Sequence, residues 1–167
     1  MIDMKHKIFL MLIFSAALSW YSTPSHAQQA KYYALFVVKF TDYIQWPESK
    51  VPIVIGVYGN SEIISELGKF SAKNKIEVLE MSSPSDIQKC QLVFLGNTKK
   101  GEFQSIKSNI GDKSILLVTE NGDLVTQGAG ISFYADGSKL RFKINKKITD
   151  TQNLKVSGSL LALADVI

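Results

Sequence analysis

The sequence predicts an α/β domain: a three-layer α/β/α sandwich with a largely parallel sheet, extended by a C-terminal antiparallel hairpin. Three observations carry that reading. Short apolar runs rich in β-branched residues alternate with segments of helical periodicity as far as Thr119, the grammar of βαβ units covered on both faces. After Thr119 the pattern changes. Gly130 to Tyr134 and Leu140 to Ile144 flank Ala135-Asp136-Gly137-Ser138, and an Asp-Gly between strand-like runs is a hairpin signal. No internal repeat, low-complexity stretch or linker divides the chain, so one core suffices.

The first 27 residues read as a secretory signal peptide. Lys5 and Lys7 give a basic start, Ile8 to Leu18 is apolar apart from Ser15, and Ser25-His26-Ala27 offers small residues at both ends of a cleavage tripeptide. The apolar run falls short of the roughly 20 residues a bilayer crossing needs. The alternative is an uncleaved anchor. No Cys follows the run, which argues against a lipoprotein. The expected mature chain, residues 28–167, is one domain. Asp3, Lys5 and Lys7 leave with the signal, taking the net charge from +4 to +3. That mild, dispersed charge and export both argue against a nucleic-acid partner. No later run is apolar and long enough to span a membrane.

Gln28 to Trp46 reads as an amphipathic helix. Tyr33, Phe36, Val37, Phe40, Tyr43 and Ile44 recur at three- and four-residue spacing, with Lys39 and Asp42 opposite. Pro47 ends it, because the residue before proline is driven from the helical region. This places Trp46 at a corner. The aromatic stripe reads first as core, and alternatively as rings left partly open for a partner. Val51 to Tyr58 is a strand buried on both faces. Gly59-Asn60-Ser61 is a turn with a helix cap, and Ser61 to Phe70 is a helix lined by Ile63, Ile64, Leu67 and Phe70. Lys75 to Glu80 is a strand, and Ser82 to Ser85 is a turn that starts a helix. Gln91 to Leu95 is a third strand. Glu102 to Ile110 is a helix with Phe103, Ile106 and Ile110 inward, and Ser114 to Thr119 is a fourth strand. At the end of the chain, Ser157 caps a helix with Leu160, Leu161, Ala164 and Ile167 on one face; Val156 and Leu161 are spaced as a hydrophobic staple.

The residues that are missing narrow the chemistry. Both histidines, His6 and His26, fall in the signal, so the mature chain offers no imidazole for a catalytic triad or a zinc site. Cys90 stands alone, so no internal disulfide can form. No carboxylates follow a metal-loop spacing, and nothing marks a catalytic pair. The chain is therefore read as non-enzymatic, with no catalytic, cofactor-binding or metal-binding residues. Gly128-Ala129-Gly130 lacks the third glycine of a dinucleotide fingerprint and precedes a strand instead of a helix.

Two features remain as candidates. Lys139, Arg141 and Lys143 alternate with Leu140, Phe142 and Ile144, so one face of that strand carries three cations. The plain reading is a solvated face guarding a sheet edge; the functional reading is a docking surface for an acidic partner. Cys90 reads as a small buried apolar residue, with an intermolecular thiol as the alternative.

Several segments taken in order carry a family resemblance. They are Trp46-Pro47 after an aromatic helix, Ile53-Val54-Ile55-Gly56-Val57 leading to Gly59, and Cys90 before Leu92-Val93-Phe94-Leu95. Next come Ile115 to Thr119, Gly128-Ala129-Gly130-Ile131-Ser132-Phe133, Leu140 to Asn145, and Leu154 to Leu161. Together they resemble the YfiR-like periplasmic proteins, a family also described by a domain of unknown function. The resemblance implies a periplasmic regulator, often dimeric, that represses a membrane-bound diguanylate cyclase by binding its periplasmic domain; other members accompany sensor kinases. It thereby implies control of cyclic di-GMP and biofilm formation. Better-studied members carry disulfides, and a chain with Cys90 alone departs from that. The second reading is a small-molecule binding protein, since the switch point of a parallel sheet is a natural ligand crevice.

The exported protein is expected to begin at Gln28, which N-terminal sequencing of the periplasmic form would establish; a mature chain retaining Lys5 would refute the cleavage.

Overall fold

The computed structural model describes residues 26–48 and 51–167. The expected signal segment, save His26 and Ala27, lies outside them.

Two strands, β4 (Leu92–Leu95) and β5 (Leu116–Thr119), are buried at every position. Strands without a polar face must lie in the middle of a sheet with both sides covered. They do: the seven-stranded sheet runs β3-β2-β4-β5-β6-β7-β9. The other members are β2 (Ile53–Tyr58), β3 (Ile76–Glu80), β6 (Ile131–Asp136), β7 (Lys139–Ile144) and β9 (Asp165–Val166). The pairs from β3 through β6 are parallel. The expected hairpin closes β6 onto β7 in antiparallel register, with Asp136 opposite Lys139 across Gly137-Ser138.

Successive residues alternate between two cores, as the pleat requires. Leu92, Phe94, Leu116, Val118, Ile131 and Phe133 face α1 (His26–Tyr43), α2 (Ser61–Gly68) and α6 (Gly158–Leu161). Val93, Leu95 and Leu117 face α4 (Phe103–Ile110), the turn at Pro84–Lys89 and Leu124. The chain is thus a three-layer α/β/α sandwich with a mostly parallel sheet. α1 packs its stripe onto a ring cluster centred on Phe133. The Phe133 centroid lies 4.9 Å from that of Tyr33, 5.8 Å from those of Phe36 and Phe40, 6.4 Å from Phe142 and 6.5 Å from Phe94. Offset and tilted aromatic pairs add to the burial of their area.

A one-turn helix that the sequence does not announce, α3 (Ser71–Asn74), leads from α2 to β3, and the structure departs from the sequence reading more widely at three further places. α1 stops at Tyr43 rather than Trp46, because Ile44–Gln45 form a two-residue strand, β1, paired with β8 (Lys155–Val156). The Ser157 N–H also donates to the Tyr43 carbonyl at 3.0 Å. Long-range pairing thus takes the chain out of the helix before Pro47 acts. The early exit leaves Tyr43 outside the core, 43% exposed. Trp46 is buried at the expected corner, its indole N–H donating to the Gln91 carbonyl at 3.1 Å.

At the other end the continuous C-terminal helix is absent. Ser157 does cap a helix, its hydroxyl accepting from the Leu160 N–H, but α6 lasts one turn. β9 then joins the open edge of β7, with Ile167 N–H donating to the Ile144 carbonyl at 2.9 Å. Unpaired β7 backbone offered hydrogen bonds that a helix would have left to water, so Ile167 is exposed rather than inward. The third departure is α5 (Lys146–Thr151), which the sequence reading left unassigned. Asn145 caps it, accepting from the Ile148 N–H at 3.1 Å. Among the described residues no helix is long and apolar enough to cross a membrane.

Replacing Phe133 by Ala is expected to cost about 3–5 kcal/mol of stability, measured by urea unfolding; a loss under about 1 kcal/mol would mean that α1 is not held through this ring.

Candidate functional site

Parallel strands release the chain at one edge of the sheet, and here four of them do so together. Past β2 comes Gly59-Asn60, past β3 Met81-Ser82, past β4 Gly96-Asn97, and past β5 Glu120. The order of strands reverses between β2 and β4. The connection from β2 to β3 crosses the α1 face, while that from β4 to β5 crosses the other. Such a reversal parts the two connections and opens a crevice. A cavity of about 790 Å³ lies there, walled on one side by Gln29, Ala30 and Tyr33 of α1.

Its floor is main chain. A β-carbon on Gly96 would overlap the Gly59 carbonyl, and Gly59 has a left-handed φ of +85°. The two loops therefore meet backbone to backbone, a contact that glycine permits. The Thr98 hydroxyl donates to the Gly59 carbonyl and ties the loops together.

Glu120 is the central polar group. One carboxylate oxygen accepts from the Asn60 amide and the other from the Asn97 N–H at 2.6 Å. Asn60 also caps α2, accepting from the Ile63 N–H at 3.1 Å. Burial raises the Glu120 pKa, and these two hydrogen bonds oppose the shift in part. Above it the Tyr33 hydroxyl accepts from the Gln29 amide at 2.9 Å. Burial, and then the Glu120 charge, push the Tyr33 phenol up to about 12. Glu62 and Glu80 stand on the walls. Lys99 places its ammonium 5.2 Å from the centre of the Tyr58 ring.

The sequence reading names Gly59-Asn60-Ser61 and Ser82 to Ser85 as turns without joining them. Position offers the signal that was available: each polar residue comes just after a strand of one parallel sheet.

The residues singled out in advance lie elsewhere. Lys139, Arg141 and Lys143 project from β7 on the face opposite Phe142. Their charges are partly answered. Arg141 pairs with Asp165 at 3.2 Å and approaches Asp136 at 3.9 Å. Tyr134 donates its hydroxyl proton to Asp165, which, with the Arg141 guanidinium, holds the Asp165 carboxyl below its ordinary pKa. Lys143 sits 5.1 Å over the Tyr134 ring.

Cys90 is 2% exposed, under Met81 and Gly56; a β-carbon at Gly56 would stand 2.6 Å from its Sγ. Burial, then the nearby Asp86 charge, push the thiol up to about 11. An intermolecular disulfide would require this turn to open. Among the described residues no three His, Cys, Asp or Glu side chains are grouped to hold a metal ion.

A family model described as DUF4154, YfiR/HmsC-like, matches residues 30–165. Solved structures share the fold at low identity. An ABC domain from Streptococcus pneumonia, solved in complex with L-Trp, matches with a TM-score of 0.60 and 16% identity over 83% of this chain and 60% of that one. A conserved domain protein from Vibrio cholerae O1 biovar El Tor matches with a TM-score of 0.62 and 14% identity over 82% of this chain and 59% of that one. This chain therefore spans about three fifths of either structure. No curated protein matches.

Thiol labelling checks the state of Cys90. Native protein is expected to react with a disulfide reagent at neutral pH about 10²-fold more slowly than unfolded protein, and its melt to be unchanged by reductant. Rapid native labelling would show an open thiol.

Proposed function

The chain belongs to the YfiR/HmsC-like family, and on that footing we propose that it inhibits a membrane-bound diguanylate cyclase, or a related sensor kinase, by direct contact with that protein's periplasmic domain. The family is one of periplasmic regulators and is not a catalytic family. The match over residues 30–165 carries the reading, since it takes in nearly all of the expected mature chain. Inhibition of a cyclase holds cyclic di-GMP down and disfavours biofilm; release of the partner reverses both. Capture of partners from membranes of the source organism, together with cyclic di-GMP measured after deletion of the gene, tests this directly.

The outer face of β7 is the proposed contact surface. Its cations stand on a strand anchored by Phe142 and Ile144, so little backbone freedom is lost on docking. Arg141 is central in the row and presents a planar fork suited to carboxylates. Asp165 already occupies part of that fork, and an acidic partner would have to compete with it. The alternative role for Arg141 is to fasten β9 to the sheet.

A second reading has its own observation. The cavity at the strand reversal has polar groups converging on apolar walls, as small-molecule sites do. Occupancy there would then be passed to the partner.

Arg141→Ala is expected to lower partner capture about tenfold while shifting stability by no more than about 1 kcal/mol, the scale of an exposed ion pair. Normal repression by a stable variant would remove the docking role, and joint loss of stability and repression would assign Arg141 to the fold.

A further inference from the structure

We infer that the cavity at the C-terminal ends of β2 and β4 binds a small organic cation, an ammonium on a short apolar body, with Glu120 as its counter-ion. This rests on the second reading above, that the cavity takes a small molecule.

The charge of the walls favours that class. Glu62, Glu80 and Glu120 line the space against one lysine, Lys99. His26 also lines it but belongs to the segment expected to leave. Both hydrogen-bond donors on Glu120, the Asn60 amide and the Asn97 N–H, are neutral. Among the described residues Glu120 forms no ion pair. A half-buried carboxylate supported only by neutral donors gains most from a cation. The positive end of α2 also faces the cavity, at about half a charge. It is answered locally by Glu62 in the first turn and by the Asn60 cap.

The far wall of the cavity holds a cation contact of the protein's own. The Lys99 ammonium already rests on the Tyr58 ring, 5.2 Å from its centre. That ring face accepts a cation in this structure. Tyr33, Ile64 and Met81 supply apolar surface for the body of the ligand. An ammonium at Glu120 would lie beside Tyr33 on the α1 side of the sheet, while Tyr58 and Lys99 line the other side of the same cavity.

A matched series of probes decides the charge rule. Phenethylamine, 2-phenylethanol and phenylacetate differ chiefly in their polar end, and putrescine adds a cation without a ring. Calorimetric titration of the mature protein should show binding of phenethylamine in preference to the other two phenyl probes. Glu120→Gln should weaken it about tenfold or more. Because that substitution would set a side-chain amide against one of the two donors and so disturb the loops, Lys99→Ala provides the second test. Removing Lys99 deletes a like charge from the cavity lining, so it should tighten the amine and leave the melt in place.

The groups that share the space with Glu120 are Tyr33 of α1, Glu62 of α2, Glu80 and Lys99, and also His26 in unprocessed protein. Lowering the pH protonates Glu120 and removes the counter-ion. Amine binding should therefore fade toward acid, starting at a higher pH than for an ordinary glutamate, whose protonation would begin lower. Preferred binding of phenylacetate, lost in Lys99→Ala, would overturn the cation and keep the small-molecule reading. Equal binding of all three phenyl probes would also overturn the cation assignment alone. No binding by any probe would overturn both.

Discussion

The packing of α1 across the sheet through Phe133 is the contact on which the rest of the structure depends. Five aromatic neighbours surround that ring, three from α1 and the others from β4 and β7. It therefore joins the parallel half of the sheet to the hairpin half. Tyr33 has two duties in this arrangement. Its ring lies in the cluster, 4.9 Å from Phe133, while its hydroxyl faces the cavity. A change that loosens α1 on the sheet must also move one wall of the crevice.

Much of this was legible in the sequence because it is local. The apolar runs of β2, β4 and β5, the inward residues Phe103, Ile106 and Ile110, and the Asp-Gly hairpin are set by periodicity and turn chemistry, and each is present, though β2 begins at Ile53 rather than at the exposed Val51 and β5 at Leu116 rather than Ser114. The departures are long-range. Ile44–Gln45 leave the helix to meet Lys155–Val156, more than one hundred residues away along the chain. β9 forms because β7 has an edge to fill. Neither partner can be read from its own neighbourhood. Tertiary pairing overrides local preference at both ends of the domain.

The cavity was hidden for the same reason. Asn60, Asn97 and Glu120 are ordinary turn residues one at a time, and only the strand order brings them together. The basic row on β7 was the opposite case, since alternation shows it directly. What alternation cannot show is Asp165, brought alongside Arg141 by a strand the sequence reading had made a helix. The two surfaces consequently differ in electrical character. The row on β7 is cationic with its central member already engaged, and the crevice is anionic with its central member attended by neutral donors.

The meeting of Gly59 with Gly96 has a consequence for how such a crevice can change over time. Its outline is cast by main chain, at a contact where neither residue tolerates a side chain without pushing the loops apart. Its chemistry is supplied by the side chains of Asn60, Lys99 and Glu120 and by the Asn97 N–H around that mould. A change at Lys99, whose ammonium rests on the Tyr58 ring and takes no part in the links through Glu120, can alter the charge of the crevice while the mould stays as it is. The charge of such a crevice can change without its shape having to be reinvented.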